Sequence, residues 1–145
     1  MNTIEKLYHY YLLYPNISTD TRNIAEKSIY FALYHFTSKP LAEAVIKRKF
    51  AGVNICGIIE DLSVEPHSVF RGLRNFGCNM RRSSRAGFLH SKYIIIDKEV
   101  VVTGSYNFSA SAKRNNELVL IIKDKELASK FIREWQKNWR FYSLP

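Results

Sequence analysis

An alternation between residues 29 and 77 constrains the fold most. Residues 29–36 are dense in aromatic and aliphatic side chains, which predicts a strand. Ser38 then stands where a helix N-cap belongs, with Pro40 in the first turn, and Leu41, Ala44, Val45 and Phe50 carry an apolar stripe up to Gly52. Residues 53–60 are almost wholly apolar, as in a parallel strand covered on both faces. Residues 66–76 predict a short helix stopped by Gly77. Strand, helix, strand and helix in that order imply βαβ units, and so the α/β class: a mixed β-sheet flanked by helices.

The second half has a different rhythm. Residues 92–97 and 100–104 are β-branched runs with only Lys98-Glu99 between them, which predicts a tight antiparallel hairpin. Residues 118–122 predict a further strand. Asp124 then N-caps a last helix, in which Leu127, Phe131, Ile132, Trp135 and Trp139 form one apolar stripe. Its other face carries Lys125, Lys130, Arg133 and Lys137, a solvated row. The domain is placed at 29–145, after a short N-terminal segment over 1–28. Within that segment Ile4, Leu7, Tyr8, Tyr11 and Leu12 fall at helical spacing, while the tyrosine-rich stretch 8–14 also suits a strand; Pro15 ends either one.

A chain of 145 residues suits one domain, and 46% apolar with 24% charged residues excludes a disordered polymer. No apolar run approaches the roughly 20 residues that span a bilayer. The first residues lack the basic-then-apolar order of a signal peptide, so a cytoplasmic location without stable membrane insertion is expected. Cys56 and Cys78 are too few for a disulfide framework, and Cys and His do not cluster at zinc spacing; no metal and no cofactor are expected. The 22 Lys+Arg against 13 Asp+Glu give a net charge of +9. That excess favours an anionic partner, nucleic acid first and an acidic membrane surface second, against the plainer alternative that it serves solubility.

The hairpin is where the sequence becomes specific. With Lys98-Glu99 as its loop, Asp97 opposes Val100, Lys92 opposes Ser105, and His90 opposes Asn107. Opposed residues share a face, so His90, Lys92, Ser105 and Asn107 would converge at the open end. Such a set suits a phosphate ester: Lys92 for the non-bridging oxygens, Ser105 and Asn107 as neutral donors, and His90 to attack phosphorus or move a proton. Asp97 would point away, about 23 Å from His90 at about 3.3 Å per residue, and brace the turn. A three-residue loop would shift this pairing by one.

His90-Ser91-Lys92, four residues, Asp97, six residues, then Gly104-Ser105-Tyr106-Asn107 resembles the HxK(x)4D(x)6GSxN signature of the phospholipase D superfamily. Six fixed identities arise by chance in about 10⁻⁸ of windows at roughly one in twenty each. Leu33-Tyr34-His35-Phe36-Thr37-Ser38 and the tail from Asn115-Asn116-Glu117 into the last helix resemble the small bacterial single-motif nucleases of that superfamily. The resemblance covers roughly 29–139. It implies a metal-independent, two-step phosphodiesterase whose catalytic set is His90, Lys92, Asp97 and Glu117, with Lys92, Ser105 and Asn107 holding the phosphate. His90 would form a phosphohistidine, and Glu117 would hydrogen-bond the other nitrogen of its ring. One motif per chain implies a homodimer, in which a second histidine comes from the other copy.

Each of these residues also has a plainer reading. His90 alone is an ordinary surface histidine, and Lys92, Ser105 and Asn107 alone are polar residues at strand ends. Glu117 could simply pair with a cation at a strand start. His35, near the end of the first strand, reads as structural. Arg81, Arg82 and Arg85, in a serine-containing loop before His90, either guide a polyanion into the site or solvate the loop. Three functions follow in order: an endonuclease on DNA or RNA, a phospholipid hydrolase of the cardiolipin type, and a nucleic-acid-binding module with an idle site.

Overall fold

The computed structural model describes residues 25–60, 67–83, 89–109 and 111–142. The helix-or-strand question over 1–24, the start of the helix expected from residue 66, and Arg85 lie outside them. Six strands form one sheet: β1 (Ser28–Leu33), β2 (Asn54–Ile59), β3 (Asn79–Arg82), β4 (Lys92–Ile96), β5 (Val100–Gly104) and β6 (Val119–Lys123). Their spatial order is β3-β2-β1-β4-β5-β6. The βαβ units make β1, β2 and β3 parallel, while β4, β5 and β6 add antiparallel neighbours. The mixed α/β sheet expected from the sequence is therefore the observed one.

Helices cover both faces. α1 (Lys39–Phe50) and α2 (Phe70–Asn75) pack on one side, where Ile29, Phe31, Leu33, Ile94, Ile96, Val100 and Val102 alternate inward. α3 (Lys125–Phe141) covers the other, against Ala32, Ile58, Tyr93, Ile95 and Val101. Its stripe of Leu127, Phe131, Ile132, Trp135 and Trp139 is the packed face, and the Trp135 indole N–H donates to Phe31 O at 2.9 Å. Asp124 caps the helix by accepting from the Leu127 amide at 3.0 Å. Ala25 is fully buried in the core, and β1 begins at Ser28.

Three local expectations are corrected. Phe50 does not belong to the buried stripe of α1; it is 73% exposed and meets the Phe76 ring at the surface. Arg81 and Arg82 lie on strand β3 rather than in a loop. The sequence Asn79-Met80-Arg81-Arg82 lacks β-branched residues, and pairing with β2 makes it a strand regardless.

The hairpin register is the third. Ile96 opposes Val100 and Tyr93 opposes Thr103, so the loop is Asp97-Lys98-Glu99 and every pair shifts by one. Asp97 and Lys98 both take left-handed conformations, at φ 52° and 59°. Glu99 N–H closes the turn on Ile96 O at 3.0 Å. Asp97 is held there by tertiary bonds: its carboxylate accepts from the amides of Glu26, Lys27 and Ser28, each at 2.8 Å. The brace expected of Asp97 is real, and it is what selects the longer loop.

Candidate active site

The shifted register places Lys92 opposite Gly104, not Ser105, so the hairpin alone does not gather the signature on one face. Strand β6 does it instead. Gly104 has φ +153°, and a Cβ there would lie 2.0 Å from Leu118 O, so only glycine lets β6 approach this closely. The Ser105 amide donates to Leu118 O at 2.9 Å, and the Leu118 amide donates to Ser105 Oγ at 3.0 Å. That clasp sets Glu117 against Ser105, whose hydroxyl donates to Glu117 Oε2. Asn115 Nδ2 donates to the other oxygen at 3.1 Å.

Lys92 and His90 complete the cluster. Lys92 Nζ donates to His90 O at 2.8 Å and lies 3.3 Å from His90 Nδ1 and 3.5 Å from Nε2. Burial lowers the Lys92 ammonium's pKa, and the nearby Glu117 charge opposes that shift. His90 is solvent-exposed. Asn107 is half-buried, and its side-chain oxygen has no hydrogen-bond partner among the described residues. The structure thus joins His90 to Lys92 and Ser105 to Glu117 by hydrogen bonds, with the Glu117 charge acting on Lys92, and leaves the Asn107 carbonyl uncommitted among the described residues.

Asp97 belongs to the far end of the hairpin, where its carboxylate accepts from three amides, as the expected turn brace does. Glu117 reaches the site but bonds Ser105 and Asn115, not the ring of His90. It accepts from the Ser105 hydroxyl, and its charge acts on Lys92.

The arginines have local partners. Arg81 Nη1 donates to Trp139 O and, at 3.1 Å, to Tyr142 O, with its guanidinium 4.2 Å above the Trp139 ring. It closes the C-terminal end of α3. Arg82 lies 4.3 Å over the Phe70 ring.

Sequence reasoning passed over Tyr34 and read His35 as structural. Tyr34 packs its ring 4.7 Å from that of His90, and His35 stacks on Tyr34 at 3.9 Å. His35 also feels the charges of Glu60, Lys92 and His90, so it borders the site. Burial is the main cause of its lowered pKa; Lys92 and His90 add to the lowering, and Glu60 opposes it. The signal available in the sequence was position: Tyr34 and His35 directly follow a strand that abuts β4. Burial also raises the thiol pKa values of Cys56 and Cys78, the latter to about 11, consistent with inert packing.

Comparison with known proteins agrees with this geometry. A family model described as cardiolipin synthase, PLD-like domain, matches residues 20–139. The chain is 34% identical over 113 residues to a phospholipase D of Rickettsia felis, covering 77% of this chain and 56% of that protein. It is 34% identical over 117 residues to the mitochondrial cardiolipin hydrolase of Mus musculus, covering 79% and 53%. It therefore spans about half the length of the curated relatives it matches. Among solved structures, Nuc from Salmonella typhimurium, a phospholipase D family member, superposes with a TM-score of 0.81 at 26% identity, covering 96% of this chain and 88% of that one. NucT from Helicobacter pylori shares the fold at a TM-score of 0.81 and 21% identity, covering 97% and 90%.

Proposed function

Because the chain belongs to the phospholipase D superfamily, we propose that it is a metal-independent phosphodiesterase, an endonuclease that hydrolyses DNA or RNA through a phosphohistidine in a homodimeric site. The observation that carries this reading is the cluster of His90, Lys92, Ser105 and Glu117 at one end of the sheet.

In the first step a His90 ring nitrogen attacks phosphorus, and the bond to the leaving oxygen breaks. His90 of the partner subunit gives that oxygen its proton. In the second step the same partner histidine takes a proton from water, the hydroxide attacks phosphorus, and the P–N bond breaks. Lys92, Ser105 and Asn107 meet the charge on the equatorial oxygens, which is most of what phosphoryl transfer asks of a protein. Glu117 supports the Lys92 charge, and the Ser105 hydroxyl reaches the phosphate by turning from Glu117.

Nucleic acid is placed ahead of lipid because its phosphates form a continuous row that a run of cations can follow. Residues 66–96, which lead into the site, contain no Asp or Glu and carry Arg71, Arg74, Arg81, Arg82, Arg85 and Lys92. Phosphate steering falls to this basic run, with Arg82 and Arg85 as its arginines nearest His90 in sequence. The homodimer is supported by β6. Among the described residues it pairs on one side only, and Leu118 just before it and Leu120 within it are 63% and 48% accessible.

The test is hydrolysis of single- and double-stranded DNA and of RNA in excess chelator, alongside His90→Ala. Cleavage that survives the chelator and falls at least about 10³-fold in the variant is expected. Cleavage retained by the variant would overturn the mechanism. A monomeric solution mass under assay conditions would remove the shared site. Release of headgroup from cardiolipin vesicles, without nuclease activity, would assign the lipid reading carried by the names of the relatives.

A further inference from the structure

The ring of Tyr34 is where three site groups meet. Tyr34 follows β1 directly, and its amide donates to Ser91 O at 2.9 Å, which extends the β1–β4 ladder to the mouth of the site. On one side the His90 imidazole lies 4.7 Å from its centroid, tilted by 55°, and Lys92 Nζ lies at 5.3 Å. His35 stacks on it at 3.9 Å and 18° between planes. The contacts are all to the ring, and the hydroxyl takes part in none of them.

Lys92 presents a difficulty that this ring resolves. Its ammonium sits within 3.5 Å of both ring nitrogens of His90. An imidazole whose lone pair is donated to an ammonium is a poor nucleophile. An aromatic face offers that cation a second seat, worth about 0.5–1 kcal/mol when exposed and more when desolvated. A flat wall also limits the rotation of His90, and positioning errors near 1 Å can cost about 10²-fold in rate.

We propose that Tyr34, braced by His35, is a positioning residue that draws Lys92 off the His90 lone pair and fixes the imidazole for attack. The proposal rests on His90 being the nucleophile.

The experiment compares wild type, Tyr34→Leu and Tyr34→Phe on bis(4-nitrophenyl) phosphate, with ring-selective NMR of His90 at the same pH. Tyr34→Leu is expected to lower kcat about 10- to 100-fold with KM within about threefold. Tyr34→Phe, which keeps the ring, rescues kcat to within about threefold, and the His90 ring resonances move in the leucine variant alone. Should Tyr34→Leu fail to fold, His35→Gln removes the stacked face and is expected to cost about threefold in kcat and to shift the same resonances. A leucine variant with wild-type kcat, or a phenylalanine variant as slow as the leucine one, overturns the proposal. An inactive wild type refutes the phosphodiesterase reading instead. The His90 resonances then decide the positioning claim alone, and it falls if they coincide in wild type and Tyr34→Leu.

Discussion

An acidic residue lies near each end of the β4–β5 hairpin, Asp97 in its turn and Glu117 just before β6, and the two ends differ in what remains unspent. At the turn, both Asp97 carboxylate oxygens are engaged by backbone amides of one short segment. At the open end, Glu117 bonds two side chains, one of them the Ser105 hydroxyl, while His90 stays exposed and the Asn107 oxygen has no partner among the described residues. A saturated cluster holds a fold together. An unsaturated one, set beside a cation and an imidazole, is arranged for something that comes from outside.

Substitutions can break this comparison. The largest effect is expected at the open end: Glu117→Gln should lower kcat about 10²-fold, since it removes the charge that supports Lys92, with little change in the melting temperature. It should also move the alkaline limb of the kcat–pH profile to lower pH. Burial already lowers the Lys92 pKa, and the charge that opposes this shift would be gone. A wild-type profile in that variant would show that Glu117 is as structural as Asp97.

At the other end the ranking should reverse. Asp97→Ala strands three amides and should cost about 2–4 kcal/mol in urea unfolding, with specific activity of the folded protein within about twofold. Loss of activity beyond that would return Asp97 to the catalytic set. Gly104→Ala lies between the two regions. Its Cβ meets the Leu118 carbonyl at a left-handed φ, so it should cost about 2–3 kcal/mol and also disturb the Ser105–Glu117 contact, lowering both stability and rate.

The smallest effect concerns pH. Folding lowers the His35 pKa below its ordinary 6.5, so near and below that pH the unfolded chain binds a proton that the folded one resists. Stability should therefore decline as pH falls from 7 towards 5, and His35→Gln should flatten that decline in urea titrations. An unchanged slope would place the acid sensitivity elsewhere.

Periodicity exposed most of the fold, because strand and helix repeats record burial directly. The βαβ half, the hairpin and the amphipathic α3 were all legible in it. Strand β3 was hidden because four residues without a β-branched member become a strand only through their neighbour. The hairpin register was hidden because two left-handed residues, neither of them glycine, are stabilised by amides some 70 positions away. At the site, fixed spacing singled out His90, Lys92, Ser105 and Asn107. It could not show that β6, rather than the hairpin pairing, brings Ser105 to Glu117. Tyr34 and His35 stood in plain sight, but their stacking depends on side-chain packing that no pattern encodes.

The central place of β1 has a consequence for how the chain is made. Its first partner, β2, follows soon, but Ile29 pairs with Ile96 on the other side, 96 − 29 = 67 residues later. At 5–20 residues per second a ribosome needs about 3–13 s to supply that partner. For those seconds the apolar run Ile29-Tyr30-Phe31-Ala32-Leu33 keeps one open edge during translation, an invitation to stray pairing that a chaperone or slow expression in the cold would be expected to relieve.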